Sequence, residues 1–133
     1  MLGILLLSFL SLINGIKGKE EKLENIVKIM PSSITMSGLS SGAFMSIQFA
    51  IAHSALINGA AIFAGGPYYC AESTLYLAET RCMFKYLEPL TTTSLLVDYT
   101  KDASKMGTIN DIENVKNQKF YLYSGQKDSV VDP

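Results

Sequence analysis

Gly38-Leu39-Ser40-Ser41-Gly42 constrains this chain more than any other feature, because it stands where a short β-type run meets a helix. Pro31-Ser32-Ser33 breaks the stretch before it, and Ile34-Thr35-Met36 then reads as a strand ending at Ser37-Gly38. After the motif, Ala43 to His53 contains neither Gly nor Pro. Phe44, Met45, Ile47, Phe49, Ala50, Ile51 and Ala52 place apolar side chains almost all round that helix. A helix of this kind is expected to be buried. G-x-S-x-G at a strand-to-helix junction is the pattern that holds a serine on a sharp, strained turn, its hydroxyl projecting above a sheet. Gly38 and Gly42 are expected to let the backbone close around Ser40 where larger side chains would collide. With ten glycines and the serine content of 133 residues, the pentapeptide arises by chance about 0.08 times per chain. The weight therefore rests on the flanking elements. Ser41, at the start of the helix, offers its backbone N–H as an oxyanion donor. A second donor is expected from a loop after an earlier strand, and no such strand precedes the motif.

Two further strand candidates follow. Ala60-Ala61-Ile62-Phe63-Ala64 lies between Gly59 and Gly65-Gly66-Pro67 and is short enough for a buried strand, and Lys119-Phe120-Tyr121-Leu122-Tyr123 is closed by Gly125. Between them, Tyr68 to Thr93 has no clean period and reads as an irregular excursion, while Leu95 to Lys105 is helical. Thr108, three residues before Asp111, resembles a capping box for another short helix. Strands alternating with helices predict an α/β fold with a mainly parallel sheet, here a partial three-layer sandwich over residues 32–133. In α/β-hydrolases the triad runs Ser, then Asp or Glu, then His. Asp128, after the third strand and Gly125, is placed to be that acid, although an exposed turn aspartate would look the same. Asp132, beside Pro133 and beyond Val130-Val131, is the competing carboxylate.

The N-terminus has a different character. Leu2, Ile4, Leu5, Leu6, Leu7, Phe9, Leu10, Leu12 and Ile13 form an apolar run, and charge first appears at Lys17. The run is short of the ~20 apolar residues a membrane span needs. It predicts a secretory signal over residues 1–18, cleaved near Gly15 or Gly18, although the n-region lacks Lys and Arg. A signal anchor and a buried helix are the alternatives. Residues 19–31 read as a charged, solvated leader. Export would place Cys70 and Cys82 in an oxidising compartment, where such a pair normally closes a disulfide; a redox or nucleophilic thiol is the alternative.

Several classes are excluded. Eleven Lys+Arg against twelve Asp+Glu, net −1, leave no footprint for nucleic acid. Two cysteines and one histidine fall short of the four Cys/His ligands of a closed zinc site, so no metal is expected. No cofactor is implied, and no membrane association once the signal is removed.

Three ordered blocks now resemble one family. Ser37-Gly38-Leu39-Ser40-Ser41-Gly42-Ala43-Phe44-Met45, Phe63-Ala64-Gly65-Gly66-Pro67-Tyr68-Tyr69-Cys70-Ala71 and Tyr123-Ser124-Gly125-Gln126-Lys127-Asp128-Ser129-Val130-Val131 are similar to blocks of secreted poly(3-hydroxybutyrate) depolymerases of the single-domain esterase type. The resemblance covers Ser32 to the end of the chain. It implies an α/β-hydrolase fold in a circularly permuted order, with the elbow near the N-terminus and the missing early strands later. It further implies Ser40 as nucleophile, Asp128 as triad acid and Cys70 with Cys82 as a paired-cysteine excursion. The implied activity is carboxylic-ester hydrolysis outside the cell, on poly(3-hydroxybutyrate) or its oligomers. A short-chain or feruloyl-type esterase is compatible with the same residues, because fold analogy does not set substrate.

One residue departs from the pattern. A serine hydroxyl needs a general base, and the one histidine is His53. Thirteen residues along a helix put it ~20 Å from Ser40, beyond reach, so His53 reads as a helix C-terminal residue. The chain is then expected to be the N-terminal portion of a longer hydrolase, inactive alone. The alternative is a non-catalytic secreted binding protein that uses Tyr68, Tyr69, Tyr76 and Tyr86. The stop at Asp132-Pro133, before any cover for the last strand, favours the former.

Overall fold

Thr35–Leu39 forms strand β1 and leads directly into helix α1, Ser41–Ala52. The strand runs past Ser37-Gly38, where sequence placed its end, because ladder pairing continues to Leu39 opposite Phe63. The computed structural model describes residues 30, 33–84 and 92–133. The chain divides into two compact units, Met1–Met30 and Pro31–Pro133. The expected signal (residues 1–18) and all of the expected leader except Met30 lie outside the described residues, as does Tyr86.

Strand β2 is Gly59–Phe63, beginning one residue before the Ala60 read from sequence, and β3 is Lys119–Tyr123, with the limits read from sequence. β2 stops one residue before Ala64 because Ala64 turns left-handed, at φ 50°. The sheet has order β1-β2-β3 and is parallel throughout, with Met36 opposite Ala60 and Ala60 opposite Phe120. Gly59 is needed there, since a Cβ on it would lie 2.3 Å from the Lys119 carbonyl oxygen.

Both connections step in the same direction across the sheet. Right-handed crossovers therefore put their helices on one face. On that face Ala43 and Ala50 of α1 pack with Ile57, Ala60 and Ile62, joined by Met36, Ile47 and Phe120. Gln118 ties the helix to the strands: its Nε2 donates to the carbonyls of Ala50 and Ile57, both at 2.8 Å. The opposite face is bare among the described residues, with Leu39 70%, Tyr121 59% and Tyr123 58% exposed. Two layers of an α/β sandwich are thus described. One correction follows for α1, which sequence had placed wholly in the core: Met45 is 63% exposed, because the helix is covered by the sheet on one side and by the excursion at Phe44 and Gln48, not all round.

The excursion is more ordered than its sequence suggests. A single turn, α2 (Leu75–Leu77), capped by the Thr74 hydroxyl, runs into a π-helical segment, Ala78–Met83. Helix α3, Thr93–Lys105, starts two residues before Leu95, because the Thr92 hydroxyl accepts the Leu95 N–H and caps it. Its Leu96 packs on Cys70 and Cys82, which are joined by a disulfide. The short 3-10 helix Ile112–Asn117 is capped by Asp111, whose carboxylate accepts the Glu113 N–H. Thr108 is not the cap expected from sequence: its hydroxyl instead donates to the Ala103 carbonyl at 3.0 Å and closes the end of α3. No helix among the described residues is long and apolar enough to cross a membrane.

Candidate active site

Ser40 occupies the single residue between β1 and α1, with φ 53° and ψ −120°. That is a left-handed φ on a residue with a Cβ, a conformation that costs ~1–3 kcal/mol and persists only where the surroundings enforce it. The enforcement is visible. The Ser40 N–H donates to the Phe63 carbonyl at 2.9 Å, continuing the β1–β2 ladder, while the Ser40 carbonyl accepts from Ala43 and Phe44 at 2.8 and 3.0 Å and starts the helix. One residue thus serves two elements that diverge sharply. They diverge at close range: a Cβ on Gly38 would lie 2.2 Å from the Gly42 carbonyl carbon and oxygen and 2.6 Å from the Ala43 nitrogen.

Gly42 differs from expectation. A Cβ there meets nothing within 4 Å among the described residues, so crowding does not require glycine at this place. The N–H groups of Ser41 and Gly42, the first two of α1, have no acceptor among the described residues, and no acidic side chain occupies the first turn. Such N–H groups at a helix N-terminus favour negative charge. Ser41 is therefore suitably placed as an oxyanion donor beside Ser40.

Asp128 lies beyond the carboxyl end of β3. Its N–H donates to the Gly125 carbonyl at 2.9 Å, forming the turn, and its Oδ1 accepts from the N–H groups of Val130 and Val131 at 2.9 and 3.0 Å. Those two hydrogen bonds, Val131 first, hold its carboxyl below the ordinary aspartate value against a smaller opposing effect of desolvation. Val131 is itself 2% exposed and anchors the loop. Asp132, the competing carboxylate, belongs to the tail that joins the excursion, its N–H donating to the Met83 carbonyl at 2.9 Å.

Ser40 and Asp128 leave the same end of a parallel sheet with one strand between theirs. Adjacent strands lie ~4.8 Å apart, so the two loops start roughly 10 Å from each other. That gap suits an imidazole ring hydrogen-bonded on both sides. His53 does not fill it. It caps the far end of α1, exposed, with its N–H on the Phe49 carbonyl and its ring 4.3 Å from that of Phe49.

Beside Ser40 and Ser41 opens a cavity of about 460 Å³ between α1 and the excursion. Phe44 and the Cys70–Cys82 disulfide form one side, Leu75 and Met83 another. Sequence reading missed this wall and the residues that hold it. Gln48, with Ser46 one of two polar residues interrupting the apolar helix, accepts the Tyr69 N–H at 3.1 Å. Arg81 pairs with Glu72 at 2.6 Å. Of the expected tyrosine group, Tyr68 stacks on Tyr69, which meets Tyr99 edge-on, whereas Tyr76 stands 64% exposed.

A parallel sheet whose first strand enters a strained serine and then a helix belongs to an α/β-hydrolase fold. The chain is 44% identical over 106 residues to a poly(3-hydroxybutyrate) depolymerase of Delftia acidovorans, matching 79% of this chain and 21% of that protein. A polyhydroxybutyrate depolymerase of Talaromyces funiculosus is 35% identical over 107 residues, again 79% of this chain and 29% of the relative. A solved PHB depolymerase complexed with an R3HB trimer superposes with a TM-score of 0.66 at 34% identity, over 79% of this chain and 31% of that one; the PHB depolymerase structure from Penicillium funiculosum gives the same values. No family model matches. Over these residues the chain is a relative of the poly(3-hydroxybutyrate) depolymerases, and it spans less than a third of their length.

Proposed function

We propose that these residues form the nucleophile-and-acid part of a secreted serine hydrolase that cleaves carboxylic esters, poly(3-hydroxybutyrate) or its oligomers being the substrate class. The observation that carries this is the strained Ser40 at the same carboxyl end of the sheet as Asp128. Ser40 Oγ attacks the ester carbonyl while a histidine from outside these 133 residues takes its proton. The oxyanion receives the Ser41 N–H and a second donor from the same missing sequence. Collapse expels the alcohol, which takes the proton back from the histidine and leaves an acyl-serine that water hydrolyses. Asp128, with Oδ1 committed to Val130 and Val131, turns its other oxygen to the histidine. Residues 1–18 act as the export signal. The substrate is supported by the relatives that share 79% of this chain.

Organophosphonate labelling tests the reading. Expressed with sequence that supplies the histidine, the protein is labelled at Ser40, and Ser40→Ala abolishes labelling. The 133 residues alone hydrolyse short esters at background rate. Labelling that survives Ser40→Ala, or robust turnover by the pure 133-residue chain, overturns the assignment. No labelling with the histidine present supports the binding-protein alternative instead.

A further inference from the structure

Three features adjoin the cavity beside Ser40. First, Tyr69, Glu72 and Ser73 all carry left-handed φ, at 62°, 44° and 62°, within five residues and without a glycine. Strain of this density persists only where other contacts over-determine the backbone, and it concentrates at ligand-binding places. Here the contacts are the Cys70–Cys82 bridge and the Gln48 hydrogen bond to Tyr69. Second, the strained turn delivers one charged group, the Glu72 carboxylate, to a lining otherwise made of apolar, hydroxyl and amide side chains. Third, Arg81, which balances that carboxylate, is not among the lining residues, and its side chain is only 14% exposed against 34% for Glu72. The ion pair thus presents its negative end to the space next to the candidate nucleophile.

We infer that this cavity holds an uncharged stretch of a polyester strand and turns away the strand's carboxylate terminus, with Glu72 as the residue that sets this polarity. The inference rests on the proposed ester-hydrolase reading, but it concerns binding and needs no turnover. A linear oligomer of a hydroxyacid has one hydroxyl end and one carboxylate end. Apolar walls at Phe44, Leu75 and Met83 suit the methyl-bearing backbone, and the lining serines tolerate a hydroxyl. With Arg81 taken at ~10 Å, a second carboxylate ~6 Å from Glu72 keeps a net repulsion that weakens binding about 2.5-fold at an effective dielectric of ~40. Arg81, paired with Glu72 at 2.6 Å and the less exposed of the two, offsets part of that repulsion without cancelling it.

The probes are the 3-hydroxybutyrate trimer as free acid and as methyl ester, with affinities for the disulfide-intact chain read by NMR titration. The methyl ester binds about 2.5-fold more tightly than the free acid at low salt, and added salt narrows the ratio. Acetylating the hydroxyl end changes affinity little. Glu72→Gln leaves the Arg81 cation unbalanced and reverses the order, so that the free acid binds more tightly. Equal affinities in the parent chain, a salt-independent ratio, or an unchanged order in a folded Glu72→Gln variant overturns the inference. Salt dependence in the parent chain keeps the test decisive if that variant fails to fold. The titration reads binding at Glu72 and requires neither turnover nor labelling. Loss of labelling at Ser40 and loss of end discrimination are therefore separate failures.

Discussion

Gly38 and Gly42 hold equivalent places in the motif, yet alanine at each should move stability in opposite directions. A Cβ on Gly38 would sit 2.2 Å from the Gly42 carbonyl group and 2.6 Å from the Ala43 nitrogen. Carbon atoms in good contact stand ~3.5–4.0 Å apart, so β1 and the first turn of α1 must separate by more than 1 Å, and no side-chain rotation can relieve the conflict. Overpacking costs ~1–3 kcal/mol where side chains can adjust, occasionally more. Gly38→Ala is therefore placed at ~3 kcal/mol or above, a fall in Tm of roughly 12–24 °C for a domain of this size. At Gly42 nothing lies within 4 Å of a Cβ, and the residue is in the helix with no positive φ. Replacing such a glycine by alanine restricts the unfolded chain and raises helix propensity, worth about +0.5 kcal/mol in a first turn. The assay is urea unfolding of the disulfide-intact chain, with Cm compared at constant m. Equal destabilisation by the two alanines, or a Gly38→Ala protein within ~1 kcal/mol of the parent, refutes the elbow geometry.

Three more outcomes follow from the same contacts. Ser40→Gly removes the Cβ from a φ 53°, ψ −120° backbone and should stabilise the chain by ~1 kcal/mol relative to Ser40→Ala; equal midpoints would show the turn to be unstrained. The Cys70–Cys82 bridge closes a loop with a sequence separation of 12, so Cys70→Ser/Cys82→Ser should lose ~3 kcal/mol in the chain-entropy model, and an unchanged Cm contradicts it. Asp128 should titrate below the ordinary aspartate value because two N–H groups bind its carboxylate. A depressed folded value means that its stabilising effect is full above the unfolded pKa and fades as pH falls through the folded one. A carboxyl NMR midpoint at or above the ordinary aspartate value contradicts that account.

Features written in local pattern were legible, and features that depend on distant contacts were not. Lys119–Tyr123 was readable to the residue because aromatic and apolar side chains run unbroken up to a turn at Gly125. Ser40 was readable because strand, glycine, serine and helix are adjacent in the chain. His53 could be set aside for the same reason, since helical rise alone separates it from Ser40. By contrast, the cap at Asp111 and the Thr108 hydrogen bond to Ala103 depend on how α3 ends, which spacing cannot show. The left-handed Tyr69, Glu72 and Ser73 carry no glycine signal at all. Their backbone is set by a disulfide and by Gln48 from another element.

Exposure along the strands adds the last step. β2 reads Gly-Ala-Ala-Ile-Phe, apolar on both faces, the pattern of a parallel strand covered on two sides. α1 covers one side. On the other, Phe63 meets only the rings of Tyr121 and Tyr123 among the ring contacts of the described residues, at 5.8 and 6.1 Å, beside an exposed Leu39. Water is a poor neighbour for such a row. In the proposed hydrolase, sequence that brings a histidine to the gap between Ser40 and Asp128 would also cover this face. Completing the triad and burying Leu39, Tyr121 and Tyr123 are thus coupled expectations: added sequence that restores labelling at Ser40 should also protect the β1–β3 amides from hydrogen exchange.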